Sequence, residues 1–217
     1  MTSDILEITL LSLRVSLLAT LISLVLGLPL GTLLAFKQFG GRNIILSLVN
    51  TGMALPPVVV GLVVSMMLWR SGPFGALRLI YTPTAIIIAQ VIIAFPVITG
   101  LTAAALQQLN PRLRYQLLGL GASRWQMILA LWREARLPLL AALMAGFGSV
   151  ISEVGASMMV GGNIRHQTRV LTTAIVLETS KGNFATAVML GILLLLLAYL
   201  VNLLFTLFQQ RANPTSR

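Results

Sequence analysis

The run NIILSLVNTGMALPPVVVGLVVSMMLW, from Asn43 to Trp69, contains no charged residue and carries two adjacent prolines, Pro56 and Pro57, near its middle. It exceeds the roughly 20 helical residues that cross about 30 Å of hydrocarbon, so a membrane span is expected over about Ile44 to Leu68. Helices are the natural spanning element, because each backbone polar group finds its partner within the segment. Adjacent prolines break a helix and free carbonyls that lipid cannot satisfy. The break must therefore face protein or a water-filled path. Membrane helices also carry more proline than soluble ones, so the pair marks either a translocation route or an ordinary kink.

Four further apolar runs have spanning length. They cover about Leu10 to Phe36, Pro83 to Gln107, Leu137 to Val160 and Ala185 to Phe208. Arg14 lies near one end of the first, where it can snorkel to the interface. Pro29 with Gly27 and Gly31, and Pro96 in AFPVITG, add kinks to two of them. The chain of 217 residues is 57% hydrophobic and 9% charged, with a mean hydropathy of +0.95. A water-soluble fold of this composition would expose large apolar patches, which soluble monomers avoid. The expected fold is an all-α integral membrane protein with about five transmembrane helices. A single domain is expected over 10–210, with short tails at 1–9 and 211–217.

The net charge of +10 comes from basic residues set between the apolar runs. That placement calls for no nucleic acid partner and follows the positive-inside bias instead. One side holds Lys37, Arg42, Arg112, Arg114, Arg124, Arg133, Arg136, Arg211 and Arg217, and the other Arg70, Arg78, Arg165, Arg169 and Lys181. The richer side is expected to be cytoplasmic, placing the N-terminus outside and the C-terminus inside. The first residues, MTSDILEITL, have no basic n-region, so the first run reads as a permanent span and not a cleaved leader.

The longest cytoplasmic connection, 110–136, reads as two short amphipathic helices. Asn110 and Pro111 form an N-cap and first-turn pair, with Leu113, Leu117 and Leu120 on one face. Gly119 and Gly121 break this helix, and Ser123 caps a second one bearing Trp125, Met127 and Ile128. Such a pair suits a docking site for a cytoplasmic partner, or a helix resting on headgroups. Outside, the amphipathic segment 161–183 is expected to fold back against the bundle mouth.

The chain has no phosphate-binding loop, no zinc-protease or nucleophile-elbow motif, no cysteine and one histidine. Catalysis within it is not expected, nor a bound metal or cofactor. Glu153 is the one acid well inside a run. An intramembrane carboxylate is a functional candidate by default, serving a gate or a proton, unless Ser149, Ser152, Ser157 or an arginine satisfies it. Pro56, Pro57, Glu153 and Ser157 are the pathway or gate candidates. Gly146, Gly148, Ser152, Gly155 and Ala156 give the fourth run a small-residue face for close packing. His166, in a polar loop, reads as a solvated residue.

At Gly119 to Arg124 and Ser152 to Asn163 the chain resembles the type I permeases of ATP-binding-cassette importers, in the molybdate/tungstate branch. Those permeases dock an ATPase through a loop with Glu-Ala-Ala, three residues, Gly, and later Leu-Pro. Here Leu120-Gly121-Ala122-Ser123-Arg124-Trp125 surrounds that glycine, and Leu137-Pro138 supplies the later pair. Tyr115-Gln116-Leu117 stands where Glu-Ala-Ala is usual, and Gly121 to Pro138 is about one helical turn longer than the common spacing. The stretches WREAR, SEVGASMMVGGN and TRVLTTAIVLETSKGNF are most similar to tungstate permeases. The resemblance implies that Tyr115, Gln116, Leu117, Gly119, Gly121, Ala122, Ser123 and Arg124 couple the chain to an ATPase.

It further implies a homodimer in membrane lipid, two cytoplasmic ATPase subunits holding the Mg-ATP, and an extracytoplasmic oxyanion-binding protein that Arg165 and Arg169 would meet. Moving a divalent anion inward against about 100 mV costs roughly 4.6 kcal/mol before any gradient, and this chain has no nucleotide site to supply it. A molybdate permease of the same family is the alternative. A secondary transporter or channel would need coupling-ion ligands, for which only Glu153 qualifies, and a lipid-acting enzyme would need polar groups that are missing.

Overall fold

The computed structural model describes residues 2–211, with side chains described for 4–207, and its described residues form helices and connecting turns. Helix α1 runs from Thr2 to Phe36 and α4 from Pro83 to Gln107, and these two make the most extensive interhelical contact. The α4 bounds coincide with the third expected span because its start is encoded locally. Thr82 is extended, its hydroxyl accepts from the Ala85 amide, and Pro83 fills the first turn. Helix α1 begins at Thr2 instead of near Leu10, and Ile5 and Ile8 pack on the apolar cluster around Leu171.

The inner face of α1 is small and polar while its outer face is large and apolar. Ser12, Ser16, Thr20, Ser23 and Thr32 are buried, whereas Leu18, Leu21, Val25 and Leu33 are exposed. In lipid this is the stable arrangement. Leucine gains nothing by leaving hydrocarbon, so small side chains that permit close backbone approach take the interface. Gly27 and Gly31 continue the stripe. A Cβ on Gly31 would lie 2.7 Å from the Thr99 carbonyl oxygen, and one on Gly27 2.9 Å from the Thr99 hydroxyl.

The second and fourth expected spans are not continuous. The second divides into α2 (Arg42–Met53) and α3 (Pro57–Leu68), which meet at 104°. Pro56 is the extended cap and Pro57 the first residue of α3, so the ring that cannot continue α2 is accommodated as a helix start. Each half has 12 residues, about 18 Å, too short to cross the hydrocarbon alone. The fourth divides into α7 (Arg136–Ile151) and α8 (Gly155–Gly161), with Ser152, Glu153 and Val154 in the break.

In the 110–136 connection, α5 (Pro111–Gly119) and α6 (Arg124–Glu134) form the expected pair, and α6 turns into α7 at 74°. Helix α9 (Leu171–Ser180) lies against α10 (Phe184–Arg211), as expected for a segment folded back on the bundle. The residues of the 211–217 tail beyond Arg211 lie outside the described residues. Helices α1, α4 and α10 are each long and apolar enough to cross a membrane. The count among the described residues reaches five if the bent pairs α2–α3 and α6–α7 are each taken as one crossing.

Candidate functional site

The two helix breaks meet. Helices α3 and α8 pack through Gly61, in the second turn of α3, and Gly155, the first residue of α8: a Cβ on Gly61 would sit 2.6 Å from the Ala156 Cα, and one on Gly155 2.5 Å from a Val58 methyl. Pro56, Pro57, Glu153 and Ser157, far apart in sequence, therefore belong to one neighbourhood. They do not share one exposure. Pro56, Pro57, Val58 and Val59 are exposed on the single chain, while Glu153 and Ser157 are buried. The start of α3, with the partial positive charge of a helix N-terminus, thus lies on an open face, and that of α8 is closed off by its own acid.

Glu153 is satisfied from within. One carboxylate oxygen accepts the Ala156 amide at 2.7 Å, and the other accepts the Ser157 amide at 2.9 Å and its hydroxyl at 3.0 Å. Three donors at the start of α8 thus hold the carboxylate, favourable chemistry for an anion at a helix N-terminus. Of the serines considered as partners, Ser157 is the one that serves. Ser149 and Ser152 donate to the carbonyls of Gly146 and Gly148. The break is tied to its surroundings through several elements. The Thr172 hydroxyl donates to the Glu153 carbonyl at 2.8 Å, the Gln90 amide to the Val150 carbonyl at 3.2 Å, and the Leu171 amide to the Ser12 hydroxyl at 2.7 Å. Helices α1, α4 and α9 are so anchored around it. Of the small residues expected to pack the fourth span, Gly146 meets Ile98, Gly148 faces open space and Ser152 is exposed.

In the α5–α6 hairpin the local chemistry follows the sequence. The Asn110 side chain accepts the Arg112 amide at 2.9 Å, and Ser123 with Gln126 forms a complete capping box. Gly121 turns the chain between the helices with φ +82°, a conformation that favours glycine, while Gly119 ends α5. Tyr115 and Gln116 are exposed, Leu117 and Ala122 half-buried, and Ser123 and Arg124 exposed. Leu113 and Leu117 point partly inward, but Leu120, expected on the same face, is 85% exposed because it caps α5 outside the helical repeat. Trp125 is 72% exposed, whereas Met127 is buried against the bundle. Trp132 donates its indole N–H to the Thr32 hydroxyl at 2.9 Å, joining α6 to α1.

At the opposite end, Arg165 pairs with Asp4 at 2.7 Å, and Arg169 donates to the side chain and carbonyl of Asn163. His166, expected to be solvated, pairs with Glu7 at 2.7 Å. Asp4, Glu7 and His166 bring three ligand atoms within 4.8 Å of one another, but the Arg165 guanidinium already supplies Asp4 with the positive charge a cation would bring. Glu178, hydrogen-bonded first by Lys181 and then by Asn183, is held below the usual carboxylate range.

Sequence reading missed the Ser12–Ser16–Thr20–Ser23–Gly27–Gly31 stripe. Its signal was available: small residues at spacings of three and four on a helix otherwise rich in leucine.

Residues 27–214 match the profile of the family described as the binding-protein-dependent transport system inner membrane component. A probable anion ABC transporter permease protein of Haloferax volcanii is 42% identical, over 94% of this chain and 90% of that protein. The tungstate uptake system permease protein TupB of Peptoclostridium acidaminophilum is 38% identical, over 88% of this chain and 84% of its own. Among solved structures, an inward-facing MetNI methionine ABC transporter superposes with a TM-score of 0.75 and 19% identity, covering 98% of this chain and 95% of that one. At that identity the likeness speaks for the fold.

Proposed function

The chain belongs to the family of binding-protein-dependent transport system inner membrane components, and on that premise we propose that it is the permease subunit of an ATP-driven oxyanion importer, with tungstate as cargo. Tungstate is favoured by the relative named for its uptake and by the segment SEVGASMMVGGN. The observation that carries the reading is the α5–α6 hairpin, which presents Tyr115, Leu120 and Trp125 uncovered beyond the spans. Uncovered aromatic and leucine side chains beside cations are what a docking partner buries.

In this reading that partner is the cytoplasmic ATPase, which binds the Mg-ATP. The N-terminus lies outside and the C-terminus inside. A second copy of the chain faces the exposed Pro56–Val59 break, so the pathway runs between copies, with the start of α3 turned toward the anion. Glu153 sets the shape of the adjoining break and does not ligate cargo, because a carboxylate would repel it. Arg165 and Arg169 lie where an extracytoplasmic binding protein would dock.

The test is co-purification of the ATPase subunit with this chain, together with tungstate uptake and competition by molybdate. Gly121→Val should break the coupling. A β-branched residue at φ +82° costs about 1–2 kcal/mol and shifts the turn, while the side chain itself meets open space. The expected result is an expressed, folded chain whose uptake falls about tenfold or more, a loss of about 1.4 kcal/mol in coupling. Unchanged uptake at normal expression would refute the hairpin's role.

A further inference from the structure

A second feature of the inner face has a chemistry of its own. A cleft of about 650 Å³ opens between the inner end of α1 and the α5–α6 hairpin. Its lining is largely apolar, including Leu33, Phe36 and Trp132, and also carries Lys37, Arg114 and Arg124. We propose that this cleft binds an anionic phospholipid, its headgroup phosphate against the three cations and an acyl chain along α1.

The charge balance points that way. The five acids of the chain are Asp4, Glu7, Glu134, Glu153 and Glu178, and none lines the cleft. Among the described residues, none of the three cations is in an ion pair. Arg114 donates through one nitrogen to the Phe36 carbonyl at 3.3 Å and lies 5.6 Å over the Phe36 ring. These contacts orient its guanidinium without neutralising it. The depth also fits. Helix α1 ends at Phe36 and Lys37 follows it, so the cations stand where an apolar surface gives way to a polar one, with Trp132 beside them. Basic pockets at this level between helices suit anionic lipid headgroups. A free inorganic anion would use the cations and leave the apolar lining bare.

The inference rests on the placement of 110–136 at the inner surface. Its test uses the transporter purified with its ATPase, examined by native mass spectrometry with added phosphatidylglycerol, phosphatidylcholine or sodium phosphate. Phosphatidylglycerol should be retained over phosphatidylcholine. Lys37→Gln and Arg114→Gln should each weaken it about fivefold, and Lys37→Arg should restore it. A photoactivatable phosphatidylglycerol should label the end of α1 or α6. Equal retention of the two lipids, variants without effect, or phosphate binding alone with the same charge dependence would overturn the proposal. So would absence of label at the cleft, as expected if a second copy or the ATPase covers it. Retained ATPase in the same samples shows that a variant is folded. Loss of lipid preference with ATPase still bound sinks only this inference, whereas a wild-type chain that never binds ATPase sinks the functional reading.

Discussion

Gly31→Leu is expected to leave little folded protein in the membrane. The added Cβ alone would lie 2.7 Å from the Thr99 carbonyl oxygen and from the Thr102 Cβ. Backbone cannot swing aside as a flexible side chain does. Accommodation requires α1 to move off α4, and this is the interface with the most extensive contact in the fold. Overpacking of this kind costs about 3 kcal/mol or more. In a helix pair held by close approach, the lost packing is not recovered by burying leucine. Fluorescence-detected size exclusion of the solubilised chain would show a diminished or aggregated peak. Gly191→Ala, at a glycine with open space around it, should leave the peak unchanged. A Gly31→Leu chain that elutes and melts like the parent would show that the α1–α4 contact is not the close one described.

Glu153→Ala is expected to be nearly as damaging, for a different reason. It strands the Ala156 amide, the Ser157 amide and the Ser157 hydroxyl, which now share one carboxylate. Buried donors left without acceptors cost about 2–4 kcal/mol in sum. The thermal transition should fall accordingly, and uptake with it, since α8 also packs on α3 beside the open break. Glu153→Gln keeps an acceptor oxygen and should retain much of both. The pair of variants separates two roles. If the carboxylate bound a proton or an ion during transport, Glu153→Gln would abolish uptake while leaving the melting temperature intact.

What the sequence makes legible follows from how local each determinant is. The α4 start, the helix cap at Ser123 and the break at Gly121 are written in neighbouring residues and are where reading places them. Pro56 and Pro57 announce a break, though not its 104° angle, which depends on Gly52 meeting Pro96 of α4 and Gly61 meeting α8. The break at Glu153 is harder to read. No proline marks it, and the run from Leu137 to Val160 is apolar enough for one span. Its stability comes from hydrogen bonds to residues as distant as Gln90 and Thr172. The juxtaposition of the two breaks lies wholly in tertiary packing.

Helix α1 has 35 residues and so measures about 52 Å. Its N-terminal tip is latched to the α8–α9 turn through Asp4 and Glu7. Its C-terminal tip is held by the α5–α6 hairpin through Thr32 and Phe36, and it is clamped on α4 at Gly27 and Gly31. Measured from its midpoint, that clamp divides the rod unequally, with about 10 Å on the hairpin side and about 40 Å on the N-terminal side. A rod pivoting at such a fulcrum is a lever whose long arm reaches the α8–α9 turn. A small shift of the hairpin would arrive there magnified between three- and fourfold, as these arm lengths dictate.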